Sequence, residues 1–219
     1  MRKKVVLFDL DGTILDTLTD LNAVMNEALK RFGCPPVTME QTRSFVGKGG
    51  KQYALQALPD DRKKDIDEFM RIYSGLHAAW ENGETKYFPG EDACLRALKA
   101  AGMRLGIVTN KSQAATESLM RTHLAPYGFE FVFANTGDEH LLKPDPFGTL
   151  QALSFFGVGP EEAVFVGDGE TDVRTAASAG TECIAVLWGH RSREQLEKAG
   201  ATVFARSFEE LGRILLKTE

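Results

Sequence analysis

Two aspartates, Asp9 and Asp11, flank Leu10 directly after the apolar run Val5-Val6-Leu7-Phe8. That run, β-branched at its start, reads as a short strand buried on both faces. Residues two apart on a strand point the same way, so both carboxylates should face one crevice. Like charges held that close raise each other's pKa unless a cation lies between them. Gly12 then allows a sharp turn before Thr13. Acids so placed can attack an electrophile, move a proton or hold a metal ion. A solvated acidic turn uses the same residue types, so the rest of the chain has to decide.

Three further polar groups stand later in the chain, two of them after apolar runs and one in a loop. Arg104-Leu105-Gly106-Ile107-Val108 ends on Thr109-Asn110-Lys111, with Ser112 starting a helix to about His123. The loop Leu142-Lys143-Pro144-Asp145-Pro146 precedes a helix over 147–156. Ala163-Val164-Phe165-Val166 runs into Gly167-Asp168-Gly169-Glu170-Thr171-Asp172. Phe131–Phe133, Cys183–Val186 and Thr202–Phe204 are further strand candidates. From Pro89-Gly90 onward strands and helices alternate, the pattern of parallel βαβ units with helices on both faces. Such sheets bind ligands at the carboxyl ends of their strands, where Asp9, Thr109 and Asp168 all fall.

Between these parts lies a stretch of different character. Thr17, with Asp20 three residues on, suggests a capping box, and Leu18, Leu21, Met25, Ala28 and Phe32 follow the helical period up to Gly33. The patterns stay helical from Thr38 to about Trp80, interrupted by Val46-Gly47-Lys48-Gly49-Gly50-Lys51. The expected fold is α/β, a Rossmann-like parallel sheet with helices on both faces. Residues 1–15 and 88–219 would form a discontinuous core, and 16–87 an inserted helical cap.

A chain of 219 residues, 43% hydrophobic and 26% charged, is ordinary for a soluble globular protein. Its net charge of −5 argues against a nucleic-acid or acidic-membrane partner. The densest basic spots, Lys63-Lys64 and Arg191/Arg193, read as solvated faces. Cys34, Cys94 and Cys183 offer neither a disulfide framework nor a metal knuckle. The apolar run after Lys3-Lys4 is cut short by Asp9, which argues against a secretory signal. No run approaches the roughly 20 apolar residues of a membrane span. A cytoplasmic protein, monomer or homodimer, is expected.

DxDGT, TN, KPxP and GDxxxD, in that order at strand ends or in loops, resemble the haloacid-dehalogenase-like phosphohydrolase superfamily over nearly the whole chain. Ser44-Phe45-Val46-Gly47-Lys48-Gly49-Gly50 and Phe88-Pro89-Gly90 look most like its phosphoglycolate phosphatase branch. The resemblance implies Asp9 as nucleophile forming an acyl phosphate, and Asp11 as the acid that protonates the leaving oxygen and then activates water. A crowded acidic site should help Asp11 hold its proton. Asp9, the Asp11 carbonyl and Asp168 would bind Mg2+, with Asp172 supporting through the water shell. Lys143 would face Asp9 and the phosphoryl group. Thr109 and the backbone N–H groups of Asn110 and Leu10 would donate to phosphate oxygens. Gly169 departs from the Ser or Asn usual at its position.

The cap would close over the rim, and Lys48 is the candidate to meet a substrate carboxylate, ahead of Arg43 and Lys51. The expected substrate is a small phosphorylated metabolite, foremost 2-phosphoglycolate. The alternative is a phosphatase, pyrophosphatase or sugar-phosphate mutase acting on another such metabolite. A dehalogenase needs no proton donor at position 11, and a receiver-like signalling domain needs no cap.

Overall fold

The computed structural model describes residues 3–217; Met1, Arg2 and residues 218–219, at the ends of the two expected core segments, lie outside the described residues. Strand β1 (Val5–Phe8) is the central strand of a six-stranded parallel sheet. On one side it pairs with β4 (Arg104–Ser112), which pairs with β5 (Phe131–Asn135). On the other it pairs with β6 (Ala163–Gly167), followed outward by β7 (Glu182–Val186) and β8 (Val203–Ala205).

The period of two in β1 divides the core. Val6 and Phe8 pack with α5 (Glu91–Ala100) and α8 (Phe208–Leu216) on one face. Val5 and Leu7 pack with α6 (Phe147–Phe156) and α7 (Glu170–Ala179) on the other. All four side chains are fully buried, each contributing about 1.5–3 kcal/mol by leaving water. With helices on both faces, the polar chain ends have one outlet, the rim above the strands' carboxyl ends.

Helices α1 (Leu18–Arg31), α2 (Met39–Phe45), α3 (Gly50–Ala57) and α4 (Ile66–Ala79) pack around a core of their own. Phe69, Tyr73, Met25 and Leu29 lie at its centre. Where this stretch leaves and rejoins the sheet, β2 (Leu15–Asp16) and β3 (Lys86–Tyr87) form an antiparallel ribbon, Leu15 opposite Tyr87. Two-residue strands are too short to show a period, so this ribbon was not expected.

Two local expectations are corrected. Thr17 does not cap α1 with its side chain; its hydroxyl donates to Asp11 Oδ1 at 2.5 Å instead. Asp20 is buried and accepts from Trp80 Nε1, the Glu84 N–H and Thr85 Oγ1, tying α1 to the returning chain. The strand expected to end at Val108 runs on to Ser112 through a register shift, which carries Thr109, Asn110 and Lys111 over the rim. No helix among the described residues is long and apolar enough to cross a membrane.

Candidate active site

One cavity of about 620 Å³ opens above the rim, bordered by the sheet on one side and α3, α4 and the Val46–Lys51 loop on the other. Asp9, Asp11, Thr109, Asn110, Asp168, Asp172 and Lys48 all line it. Lys143 reaches its floor, and the Leu10 side chain is packed in the core.

Asp9 follows β1, its own N–H donating to the Val166 carbonyl of β6. Lys143 Nζ lies 2.7 Å from Asp9 Oδ1 and 2.6 Å from Asp172 Oδ1, with its side chain only 2% exposed. Burial pushes the Asp9 carboxyl up to about 6 against the pull of Lys143, with Asp172 and Asp11 adding to the rise. Burial likewise raises Asp172 and Asp168, each partly opposed by neighbouring partners. For Lys143 burial works the other way, yet Asp172 and Asp9 outweigh it and keep the ammonium charged. One cation therefore serves two buried acids, and Asp168 has no lysine or arginine ion-pair partner among the described residues.

Carboxylate oxygens of Asp9, Asp168 and Asp172 all lie within 4.8 Å of one another. Three buried oxygen donors facing one ammonium leave negative charge uncompensated, and a hard divalent cation suits that donor set. Asp168 is held on both oxygens: Thr13 Oγ1 donates to Oδ1 at 3.0 Å, and the His190 N–H to Oδ2 at 2.7 Å. Gly12, at φ +80°, lets this happen. A Cβ there would stand 2.6 Å from Asp168 Oδ2 and 2.7 Å from His190 Nε2. The Gly169 N–H donates to Asp172 Oδ2 at 2.8 Å, so the missing side chain at 169 leaves Asp172 anchored.

Asp11 behaves differently from the expectation of a crowded, protonated acid. Its carboxylate accepts from Thr17 and from Lys111 Nζ at 3.0 Å. Burial would raise its pKa, but Lys111 and Thr17 together hold it below the usual value. It rests as a carboxylate on its own lysine, apart from the Asp9–Asp168–Asp172 group. Lys111 is as buried as Lys143, with its side chain 2% exposed. Facing it from α4 is His77, which burial and the lysine charge press down to about 3, so the imidazole is neutral.

Asn110 uses its side chain to arrange the loops: Nδ2 donates to the Lys143 and Gly47 carbonyls, and Oδ1 accepts from the Lys143 N–H. The Thr109 hydroxyl accepts from the Lys111 N–H at 3.2 Å and keeps its own proton to give. Lys48 is exposed and without an ion-pair partner among the described residues, whereas Lys51 meets Glu139 at 3.5 Å. Sequence reasoning missed Thr13, Lys111, His77 and His190. Thr13 closes the DxDGT motif and Lys111 directly follows TN, and that placement was the available signal.

Residues 6–186 match the family model for haloacid dehalogenase-like hydrolases. The chain belongs to that family. Among relatives of this haloacid dehalogenase-like hydrolase is phosphoglycolate phosphatase 1 of Pseudomonas aeruginosa, 31% identical over 95% of this chain and 78% of that protein. Another is the phosphoglycolate phosphatase of Nitrosospira multiformis, 32% identical over 98% of this chain and 96% of that one. A crystal structure from Lactobacillus delbrueckii subsp. bulgaricus superposes with a TM-score of 0.88 at 28% identity, covering 98% of this chain and 99% of the other. The hydrolase thus lies on the family's phosphoglycolate phosphatase-like branch.

Proposed function

We propose that this hydrolase is a Mg2+-dependent phosphatase that cleaves a small phosphate monoester, 2-phosphoglycolate foremost, through a phosphoryl group carried on Asp9. The observation that carries the reading is the Asp9 carboxylate at the cavity floor, held by Lys143 beside Asp168 and Asp172. Mg2+, held by Asp9, Asp168, the Asp11 carbonyl and the support of Asp172, would neutralise charge on the phosphoryl oxygens. Lys143 fixes the attacking oxygen of Asp9, which bonds to phosphorus as the bond to the leaving oxygen breaks. Thr109, with the backbone N–H groups of Asn110 and Leu10, donates to the phosphoryl oxygens, where positioning and charge stabilisation do most of the catalysis.

Asp11 gives the leaving oxygen its proton. It begins ionised on Lys111, so it must turn toward the negative phosphoryl group. That exchange of a cation for an anion raises its pKa and lets it take up the proton it delivers. Afterwards it withdraws a proton from the water that attacks phosphorus in the Asp9 acyl phosphate; the bond from phosphorus to Asp9 breaks, phosphate leaves and the carboxylate is restored. Residues 16–87 act as a cap over the core of 1–15 and 88–219, excluding water and presenting Lys48 to the substrate carboxylate.

The cavity favours a second reading of the substrate. About 620 Å³ exceeds what a two-carbon acid phosphate fills, so a larger phosphorylated metabolite, such as a sugar phosphate, fits as well. Phosphate release from a panel of esters with Mg2+ tests both. The expected outcome is turnover that disappears in Asp9→Asn and a KM for phosphoglycolate that rises in Lys48→Ala. Turnover surviving Asp9→Asn refutes the mechanism. An unchanged KM in Lys48→Ala removes Lys48 from substrate recognition, and greatest efficiency on a larger ester selects the second reading.

A further inference from the structure

Arg191 stands in the loop after β7, on the core side, yet most of its donors are spent on the helical segment. Its Nη1 donates to the Arg43 carbonyl at 2.7 Å, and its Nη2 to the Val46 carbonyl at 2.7 Å and the Ser44 carbonyl at 3.4 Å. These carbonyls belong to the C-terminal end of α2, where helix carbonyls lose their internal partners and the negative end of the dipole lies. The C-terminal cap of a helix in one part of the chain is thus supplied from the other part. The remaining Nε donates to Glu170 Oε2 at 2.9 Å, and the Arg191 side chain is only 8% exposed.

Both ends of this contact reach the site. Directly after Val46 come Gly47 and Gly49, at φ +108° and +88°, with Lys48 between them. Nothing in those glycines fixes the loop, so its height above Asp9 depends on what holds its flanks. Asn110 holds the Gly47 carbonyl at 3.1 Å, and Arg191 holds the residues just before. On the core side, Arg191 follows His190, whose N–H binds Asp168, and its partner Glu170 lies between Asp168 and Asp172.

We propose that Arg191 is a specificity-positioning residue: by clamping the end of α2 to the Asp168 loop, it sets the height and register at which the Val46–Gly50 loop meets the substrate's leaving group. The clamp depends on a planar fork. Arginine reaches three carbonyls and a carboxylate at once, which the point charge of lysine cannot do. Substrate discrimination therefore depends on a core residue that borders the cavity but commits its donors to the end of α2 and to Glu170.

Hydrogen exchange by mass spectrometry on wild type, Arg191→Gln, Arg191→Lys and Glu170→Gln tests the clamp without any assumption about the reaction. Amides of residues 42–50 should exchange faster, on the order of tenfold in Arg191→Gln, the scale of losing charged hydrogen bonds. The effect should be smaller in Arg191→Lys and Glu170→Gln, while amides of β1 and β6 stay at wild-type rates. Unchanged exchange at 42–50 overturns the proposal. Where Arg191→Gln also loosens β1 and β6, Glu170→Gln decides: selective exchange at 42–50 supports the clamp, and its absence overturns it.

The kinetic arm rests on the phosphatase reading. In Arg191→Gln the KM for phosphoglycolate should rise roughly tenfold, while kcat and the KM for p-nitrophenyl phosphate, which bears no carboxylate on its leaving group, move by less than about threefold. Equal rises for both esters, or neither rising while exchange at 42–50 accelerates, overturn the specificity role. If wild type turns over neither these two esters nor any other of the panel, the phosphatase reading falls and the specificity role falls with it, while the clamp is still judged by the exchange rates.

Discussion

Replacing Lys143 with methionine keeps the bulk of the side chain and removes one charge that two buried carboxylates share. At 2.7 and 2.6 Å, each attraction is worth about 6 kcal/mol in gross terms at an effective dielectric of about 20. Most of that offsets the desolvation of three charges. The net loss on breaking a buried pair is about 3–5 kcal/mol, which for a chain of this length lowers Tm by roughly 6–20 °C. Activity should fall by about 10²–10³-fold, the scale of losing one preorganised electrostatic contact. The pH dependence separates this cause from simple packing damage. Asp9 has a folded-state pKa of about 6, raised by burial from 3.8, so its contribution to stability is present below about 3.8 and lost as pH rises through 6. Without Lys143 that pKa climbs further, and the loss on raising pH grows. In the metal-free protein, the Tm deficit of Lys143→Met should therefore be small at pH 4 and large at pH 7.5. Differential scanning calorimetry at both values decides the matter. An equal deficit at both pH values, or one under 2 °C at pH 7.5, would refute the account of Lys143 as the shared counter-charge.

Thr13→Val removes one of the two donors that hold Asp168, and should weaken cation binding about 10–100-fold. A metal titration followed by thermal shift reads this directly, with kcat restored at saturating metal. Lys111→Met removes the charge that keeps the Asp11 pKa low, so burial then dominates. Asp11 should titrate at higher pH in the free protein, and the corresponding limb of the kcat/KM profile should move upward. Glu91, at the start of α5, is 1% exposed with both carboxylate oxygens unpartnered among the described residues, and burial with help from Asp92 pushes it up to about 8. Its stabilising contribution is present below about 4.5 and is lost as pH rises through 8. Glu91→Gln should therefore gain stability over wild type at pH 8.5 and lose that advantage near pH 4.5, as measured by urea unfolding.

The parts of the fold that the sequence made legible are those where one local rule suffices. An apolar run buried on both faces marks β1, and acids or hydroxyls placed just after such runs mark the rim, because a parallel sheet leaves them no other outlet. What stayed hidden depends on pairings across long separations. Asp11 and Lys111 are one hundred positions apart, and their contact reverses the direction in which a cluster of acids would shift the Asp11 pKa. Asp20 has the spacing of a capping residue, but three donors 60 to 65 positions later claim it. Arg191 and Arg193 looked alike as a basic spot on a solvated face. The structure separates them: Arg193 is half exposed and pairs with Glu197 one turn away, whereas Arg191 is buried against carbonyls nearly 150 positions earlier. Charge is legible in a sequence, but its partner is not, and the partner decides whether a charge solubilises a surface, tunes an acid or clamps one part of the chain to another. Backbone carbonyls are the extreme case, since every residue carries one and no residue type announces that it will be used.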